Sequence, residues 1–221
     1  EIWKDSVVQS IKSLGRPLNY EQSADLTYNL PFANIPVLDW ISSSASYSSR
    51  YRWQRGALIR DENIGNFIQN DLSLTLNSRL NLVQFYNKFD FLEKDNQKFE
   101  GSDPEKHDNL LLAASQFAAR TLMMVRSVNI NLGYKTRTDI PGFSPMVGNH
   151  FGQLNTPAGM LPGLGFAFGF DGGESFIEKA SNSDWLVKNE NNITPAVYNL
   201  TRSLRLDATI EPSKGLKIEL N

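Results

Sequence analysis

The side chains able to carry out chemistry are few and scattered. The 221 residues include no cysteine, which removes disulfides, thiol nucleophiles and thiolate metal ligands together. There are two histidines, His107 and His150, far apart in sequence. Neither stands in an HExxH-type spacing that would bring two imidazoles to one face of a helix, so both read as solvated polar residues. The run Gly163-Leu-Gly165-Phe-Ala-Phe-Gly169 has the wrong spacing for a dinucleotide-binding loop, and a loop precedes it where a buried strand would be needed. It reads as a glycine-rich strand or bend against which Phe166 and Phe168 pack. The carboxylate pairs Asp61/Glu62 and Asp171/Glu174 would do acid–base work only in a shielded cleft, and their neighbours predict no shielding. Asn192-Ile-Thr194 and Asn199-Leu-Thr201 match the glycosylation sequon, a pattern short enough to arise by chance. No set of catalytic, metal-binding or cofactor-binding residues emerges. The expectation is a protein that is not an enzyme and carries no cofactor.

Charge and composition narrow the class. The 22 Lys+Arg are balanced by 24 Asp+Glu, without the basic excess of a nucleic-acid binder. Hydrophobic residues make up 40% and charged residues 21%, which separates the chain from disordered sequences. The 13 Phe, 7 Tyr and 4 Trp suffice for a core or for an aromatic belt at a membrane interface. No stretch approaches the ~18 apolar residues of a membrane-spanning helix. A mean hydropathy of −0.36 suits a soluble protein and a transmembrane β-barrel equally, because barrel strands of about 9–11 residues alternate and hardly register on a hydropathy scan.

The elements follow from periodicity. Trp3, Val7, Ile11 and Leu14 are spaced for a short amphipathic helix ending at Gly15. Over 20–30 the period changes to two: Tyr20, Ala24, Leu26, Tyr28 and Leu30 share one face, and Glu21, Ser23, Asp25, Thr27 and Asn29 the other. After a turn bracketed by Pro31 and Pro36, residues 41–55 alternate again. Ile41, Ala45, Tyr47, Tyr51 and Trp53 oppose Ser42, Ser44, Ser46, Ser48, Arg50, Arg52 and Gln54, and this run exceeds the usual globular strand of about 5–6 residues. Residues 70–82 set Leu72, Leu74, Leu76, Leu80 and Leu82 against Asp71, Ser73, Thr75, Asn77, Arg79 and Asn81. The spacing then predicts helical inserts over 83–99 and 109–125. Strands follow at 126–138, with Val128, Ile130, Leu132 and Tyr134 opposite Asn129, Asn131, Lys135 and Arg137, and at 200–211, with Leu204, Leu206, Ala208 and Ile210 opposite Ser203, Arg205, Asp207 and Thr209. Between them lie a Gly/Pro-rich loop over 139–173 and a short helix around 174–186. Leu216, Ile218 and Leu220 alternate with polar neighbours at the end, so the chain reads as a segment of a longer polypeptide. In all there are about six alternating segments, and the expected class is mainly β.

Such alternation has two readings. In a soluble sandwich or barrel the apolar row meets a protein core. In a membrane barrel it meets lipid while the polar row lines a lumen. The pattern alone slightly favours the first, because soluble β proteins are commoner, while strand length and the tyrosines and tryptophans toward one end of 41–55 pull back toward the second.

Several stretches resemble the SprA/Sov family, in order along nearly the whole chain. They are Leu30-Pro-Phe-Ala-Asn-Ile-Pro-Val-Leu-Asp-Trp40 with the serine-rich strand to Trp53, Ile64-Gly-Asn-Phe-Ile-Gln-Asn70 leading to Leu80-Asn-Leu-Val-Gln-Phe-Tyr-Asn-Lys88, Leu122-Met-Met-Val-Arg-Ser-Val128, Pro162-Gly-Leu-Gly-Phe166 with Phe168-Gly169, and the strand end Leu204–Pro212. The resemblance implies that residues 1–221 are part of one very large transmembrane antiparallel β-barrel in the bacterial outer membrane. It implies the type IX secretion translocon, which exports folded proteins bearing a C-terminal sorting domain. The implied partners are secreted cargo proteins, a PorV-like outer-membrane barrel, a periplasmic plug protein, surface lipoproteins and outer-membrane lipid or LPS, with no nucleic acid.

On this reading Tyr47, Tyr51, Trp53, Leu72, Leu74, Leu76, Val128, Ile130, Leu132, Leu204, Leu206 and Ile210 face lipid. Ser44, Ser46, Arg50, Ser73, Thr75, Asn77, Asn129, Asn131, Arg205 and Asp207 face the lumen, and the helical inserts and the 139–173 loop cap or narrow it. The alternatives are another outer-membrane barrel, a porin or nutrient transporter, and a soluble β-rich protein binding glycans through Trp40, Trp53 and Trp185.

Overall fold

The computed structural model describes residues 17–59, 62–89, 121–157, 159–188, 194–213 and 215–220. It is mainly β. Five long strands and one short one form one antiparallel sheet: β1 (Asn19–Leu30), β2 (Ile41–Gln54), β5 (Asn66–Asn81), β6 (Val125–Phe143), β9 (Val197–Ser213) and the short β10 (Leu216–Leu220), paired in that order. Among the described residues the sheet is not closed into a barrel. Two small pairs accompany it, β3 (Leu58–Ile59) with β4 (Glu62–Asn63) and β7 (Leu154–Thr156) with β8 (Gly159–Leu161). Among the described residues the named helices are short: α1 (Leu82–Tyr86), α2 (Leu164–Ala167) and α3 (Gly173–Asn182). None is long and apolar enough to cross a membrane.

Every alternating run becomes a sheet strand, but three of them extend beyond their sequence signal. β5 begins four residues before the expected residue 70. Asn66 and Asn70, which obscure the alternation, are buried on the core side and spend their amides on carbonyls: Asn66 Nδ2 donates to Pro145 O at 3.0 Å, and Asn70 Nδ2 donates to Phe166 O. β6 runs on to Phe143 through Pro141 and Gly142, whose residue types suggest a loop. Burial of Ile140 and Phe143 there outweighs the breakers, and Gly142 takes up the bend with φ 78°. β9 extends the expected 200–211 at both ends.

The expected long loop over 139–173 is a correction. Its first residues belong to β6, and the remainder folds into the β7–β8 hairpin and α2. The glycine-rich run is a one-turn helix with flanking bends. The insert expected over 83–99 is helical in α1, where the Asn81 side chain caps Gln84 N at 3.3 Å. Val125, expected to end the second insert, opens β6. The helix over 3–14, His107, Asn192, and the inserts over 90–99 and 109–120 lie outside the described residues.

Packing divides the chain into two compact units: residues 1–26, 47–74 and 134–201, and residues 27–46, 75–133 and 202–221. In the first unit a segment running from Ser144 to Val187 lies on the sheet and closes a core of Tyr51, Trp53, Ile68, Ile140, Phe143, Phe166, Ala167 and Phe176. Each large apolar side chain withdrawn from water in this way contributes about 1.5–3 kcal/mol. Phe166 stacks on Phe176 with centroids 4.4 Å apart and meets the edge of Tyr51 at 5.9 Å. The second unit has a smaller aromatic cluster, with Trp40 against Phe85 at 4.7 Å and the buried Tyr86 donating to Leu122 O at 2.9 Å.

Candidate functional site: a two-faced sheet

The candidate site is the sheet surface itself, and side-chain contacts between strands sort the two faces. In the first unit Glu21 on β1 reaches Arg50 and Arg52 on β2 at 3.3 and 3.8 Å. Arg137 on β6 pairs with Asp139 at 2.9 Å, reaches Asp71 on β5 at 4.0 Å and donates to Gln69 Oε1 at 3.4 Å. These belong to one polar face, where Ser23, Asp25, Arg50, Asp71, Ser73 and Lys135 line an open groove. Exposed pairs of this kind are worth only about 0–1 kcal/mol each. What they do is hold a dense, mixed-sign charge layer in water.

The second unit repeats the pattern. Thr27 and Ser46 hydroxyls lie 3.4 Å apart, Asn131 donates to Asn77, and Arg205 pairs with Asp207 at 2.9 Å. Of the residues expected to line a lumen, Arg50, Asn77, Asn129 and Arg205 are exposed, and Ser44, Ser46, Ser73, Thr75, Asn131 and Asp207 are half-buried within their rows. Arg126, which has the parity of Val128 and Ile130, pairs with Glu211 at 3.2 Å, and both side chains are largely enclosed.

The opposite face is apolar and differs between the units. In the first it is covered. Tyr51, Trp53 and Leu72, expected to face lipid, meet protein instead. Tyr51 Oη donates to Gly152 O at 3.0 Å and Trp53 Nε1 to Pro145 O at 3.1 Å. Leu72 lies beneath Gly169, whose φ is 82° and where a Cβ would stand 2.9 Å from the Leu72 Cβ. Tyr47 is half-buried: its hydroxyl donates to Phe168 O and its ring stacks on Phe170 at 5.5 Å. Sequence reasoning missed this cover because its anchors are backbone carbonyls, which no residue type announces.

In the second unit the apolar row lies open. Leu204 is 63% exposed and Leu206 51%, and Leu132 and Tyr28 are exposed too. Leu76, Val128, Ile130 and Ile210 are half-buried along the same rows. Ser43 and Ser78, in the same rows, satisfy each other with an Oγ–Oγ distance of 2.7 Å. Leu74, in the first unit, stands just past the cover.

The other sequence candidates do not converge. His150 is exposed and contributes only its carbonyl, which accepts from Tyr20 Oη at 2.9 Å. Asp171 and Glu174 are exposed near the start of α3, and Asn199 is exposed on β9. Trp53 is enclosed, Trp40 donates to Val37 O at 2.9 Å, and Trp185 packs on Phe176 with Lys179 Nζ 5.6 Å above its ring.

Burial pushes the Tyr51 hydroxyl well above the ordinary tyrosine range, and Tyr20 beside it adds to the rise. The folded state thus holds the neutral phenol, while an unfolded segment ionises near the usual value of about 10. Above that pH the unfolded form binds fewer protons, so stability falls as pH climbs and is intact below it. Alkaline release of the 144–187 segment is expected to begin near pH 10 in the native protein. It should shift upward in Tyr51→Phe, followed by protease susceptibility across a pH series. An unchanged profile would separate Tyr51 from the transition.

The chain matches no known protein-family model, and no curated protein sequence matches it.

Proposed function

We propose that this chain is a stretch of the wall of a large outer-membrane β-barrel that conducts folded secreted proteins, as its resemblance to the SprA/Sov family implies. The observation that supports this most strongly is the uncovered apolar row of the second unit lying opposite a charged, hydrated row. Large exposed leucines at alternate positions of long strands are costly in water and suit contact with hydrocarbon. In a bilayer each strand must pair its backbone on both sides, since lipid offers no hydrogen bonds. Six strands supply only part of such a wall, and the rest would come from a longer polypeptide. A high strand number gives a wide lumen, and rows such as Arg50, Asp71, Arg137 and Asp207 would keep it wet for folded cargo. The chemistry asked of the wall is passive, so the proposal includes no catalytic residue and no cofactor. Its partners would be sorting-domain cargo, a PorV-like barrel, a periplasmic plug, surface lipoproteins and outer-membrane lipid.

The test is made on the parent polypeptide in its native envelope. It is expected to leave the membrane only with detergent and to co-purify with proteins bearing a C-terminal sorting domain. Extraction by salt or buffer alone would rule out a membrane wall. Detergent extraction with no such cargo, under conditions where export is stalled, would point to a porin or nutrient transporter instead.

A further inference from the structure

We infer that the 144–187 segment is a collar on the outer, lipid side of the barrel wall, seated on strand ends that stand clear of the bilayer, and that the Phe170–Tyr47 stack marks the line where lipid begins. This rests on the barrel reading above and assigns the segment a side and a level that the reading leaves open.

Strand length poses the problem. A tilted strand crosses the hydrocarbon with about 9–11 residues, whereas β5 has 16, β6 has 19 and β9 has 17. The surplus must stand in water, and its apolar row needs a protein cover. The cover is present over part of β1, β2, β5 and β6 and then stops. On β5, Ile68 is 0% exposed, Leu72 7% and Leu74 39%. Beyond Leu72, the nine residues Ser73–Asn81 remain, which is one crossing. The same step falls between Ala24 and Leu26 on β1, where Leu26 is 64% exposed, between Ser49 and Tyr47 on β2, and between Thr138 and Thr136 on β6.

Past the step the apolar parity is free of charge on β1, β2 and β5, and Arg126, paired with Glu211 at 3.2 Å, interrupts it on β6 only at the far end of the strand. From Leu26 to Leu30, Ile41 to Tyr47 and Leu74 to Leu80 it includes no Asp, Glu, Lys or Arg. Arg202 breaks the row on β9 and is engaged in an interaction within the protein. A watery or protein-binding surface has no need of such exclusion, but hydrocarbon does. At the edge of the cover, Phe170 is 76% exposed yet lies nearly parallel to Tyr47, with 10° between the ring planes. An exposed phenylalanine laid on a tyrosine at the end of an apolar band is the arrangement of an interfacial aromatic girdle.

The side follows from the faces. The segment is fixed to the apolar row through Tyr47, Tyr51, Trp53 and Asn70, which donate to its carbonyls, and through Thr138 Oγ1, which accepts from Gly173 N at 2.9 Å. The charged row of Glu21, Arg50, Asp71 and Arg137 is on the other side of the sheet. A segment seated in this way does not narrow the passage, contrary to the expectation from its composition.

The absence of cysteine makes the test direct. Single cysteines replacing Ser73, Leu74, Phe170 and Leu206 are introduced into the intact parent polypeptide, otherwise cleared of cysteine. The protein is spin-labelled and reconstituted in phosphatidylcholine–phosphatidylglycerol vesicles. Collision rates are compared for oxygen, which concentrates among acyl chains, and a nickel chelate, which stays in water. Leu74→Cys and Leu206→Cys are expected to be dominated by oxygen, Ser73→Cys by the chelate, and Phe170→Cys to fall between them. If Phe170→Cys meets the chelate as freely as Ser73→Cys while the two leucine positions stay oxygen-dominated, the collar is not at the interface and the barrel stands. If Leu74→Cys and Leu206→Cys are chelate-dominated, the barrel reading falls and the collar with it.

Discussion

Replacing Trp53 with alanine is expected to release the 144–187 segment from the sheet. Trp53 is enclosed at the centre of the first unit's core and donates its indole hydrogen to Pro145 O at 3.1 Å. Truncating a fully buried tryptophan costs about 3–5 kcal/mol, because transfer energy is lost and a cavity is left behind. The Pro145 carbonyl, which Asn66 Nδ2 also reaches at 3.0 Å, keeps one donor, so the cavity dominates. In a locally cooperative region the cost appears as more frequent opening of that region, not as global unfolding. Cleavage within 144–187 by a broad-specificity protease should therefore accelerate on the order of a hundredfold or more, with the strands still paired. Trp53→Phe, which retains most of the ring and loses the donor, should show a smaller effect of about 1–3 kcal/mol. Equal cleavage rates in Trp53→Ala and the native protein would mean that the segment is held elsewhere.

Much of this architecture was legible because the sheet uses one device repeatedly. Leu72-Ser73-Leu74-Thr75-Leu76 in β5 and Leu204-Arg205-Leu206-Asp207-Ala208 in β9 spell out both the strand and its two faces, since a period of two assigns sides as soon as it assigns extension. The polar row was readable for the same reason: Arg50, Asp71 and Arg137 all have the parity that the first unit turns to one side.

What the alternation could not convey was which part of the apolar row would be covered. Tyr47, Tyr51 and Trp53 have one parity and look alike in sequence, yet Tyr51 and Trp53 are sealed in a core and Tyr47 is at its rim. That difference is made by residues a hundred positions away, and largely by their carbonyls. The glycine-rich run failed as a guide in the same way. Gly152 and Gly169 take positive φ where backbone passes over the rings of Tyr20 and Tyr51 and over Leu72. What looked like loop composition is the condition for a close-packed cover. Asn66 lies before the alternation that begins at residue 70, yet it and Asn70 are residues that tie that cover down.

Introducing arginine on the open apolar row is expected to discriminate membrane from water more sharply than any substitution on the polar row. Leu206 is half exposed on β9 between Arg205 and Asp207, which pair with each other at 2.9 Å on the opposite face. In a soluble sheet Leu206→Arg would place a charge on a surface already open to water, with an effect within about 0.5 kcal/mol. On a lipid-facing strand the same change costs about 2–4 kcal/mol near the bilayer midplane, enough to lower assembly into the outer membrane roughly thirtyfold or more. Asn131→Arg, in the polar row of β6, serves as the matched control and should assemble normally, since that row already accepts Lys135 and Arg137. The measurement is the fraction of parent polypeptide in the outer-membrane pellet and its heat-modifiable migration. Normal assembly of Leu206→Arg and Leu132→Arg together would show that this row does not touch hydrocarbon, because one position could escape by reaching a polar boundary but two on different strands could not.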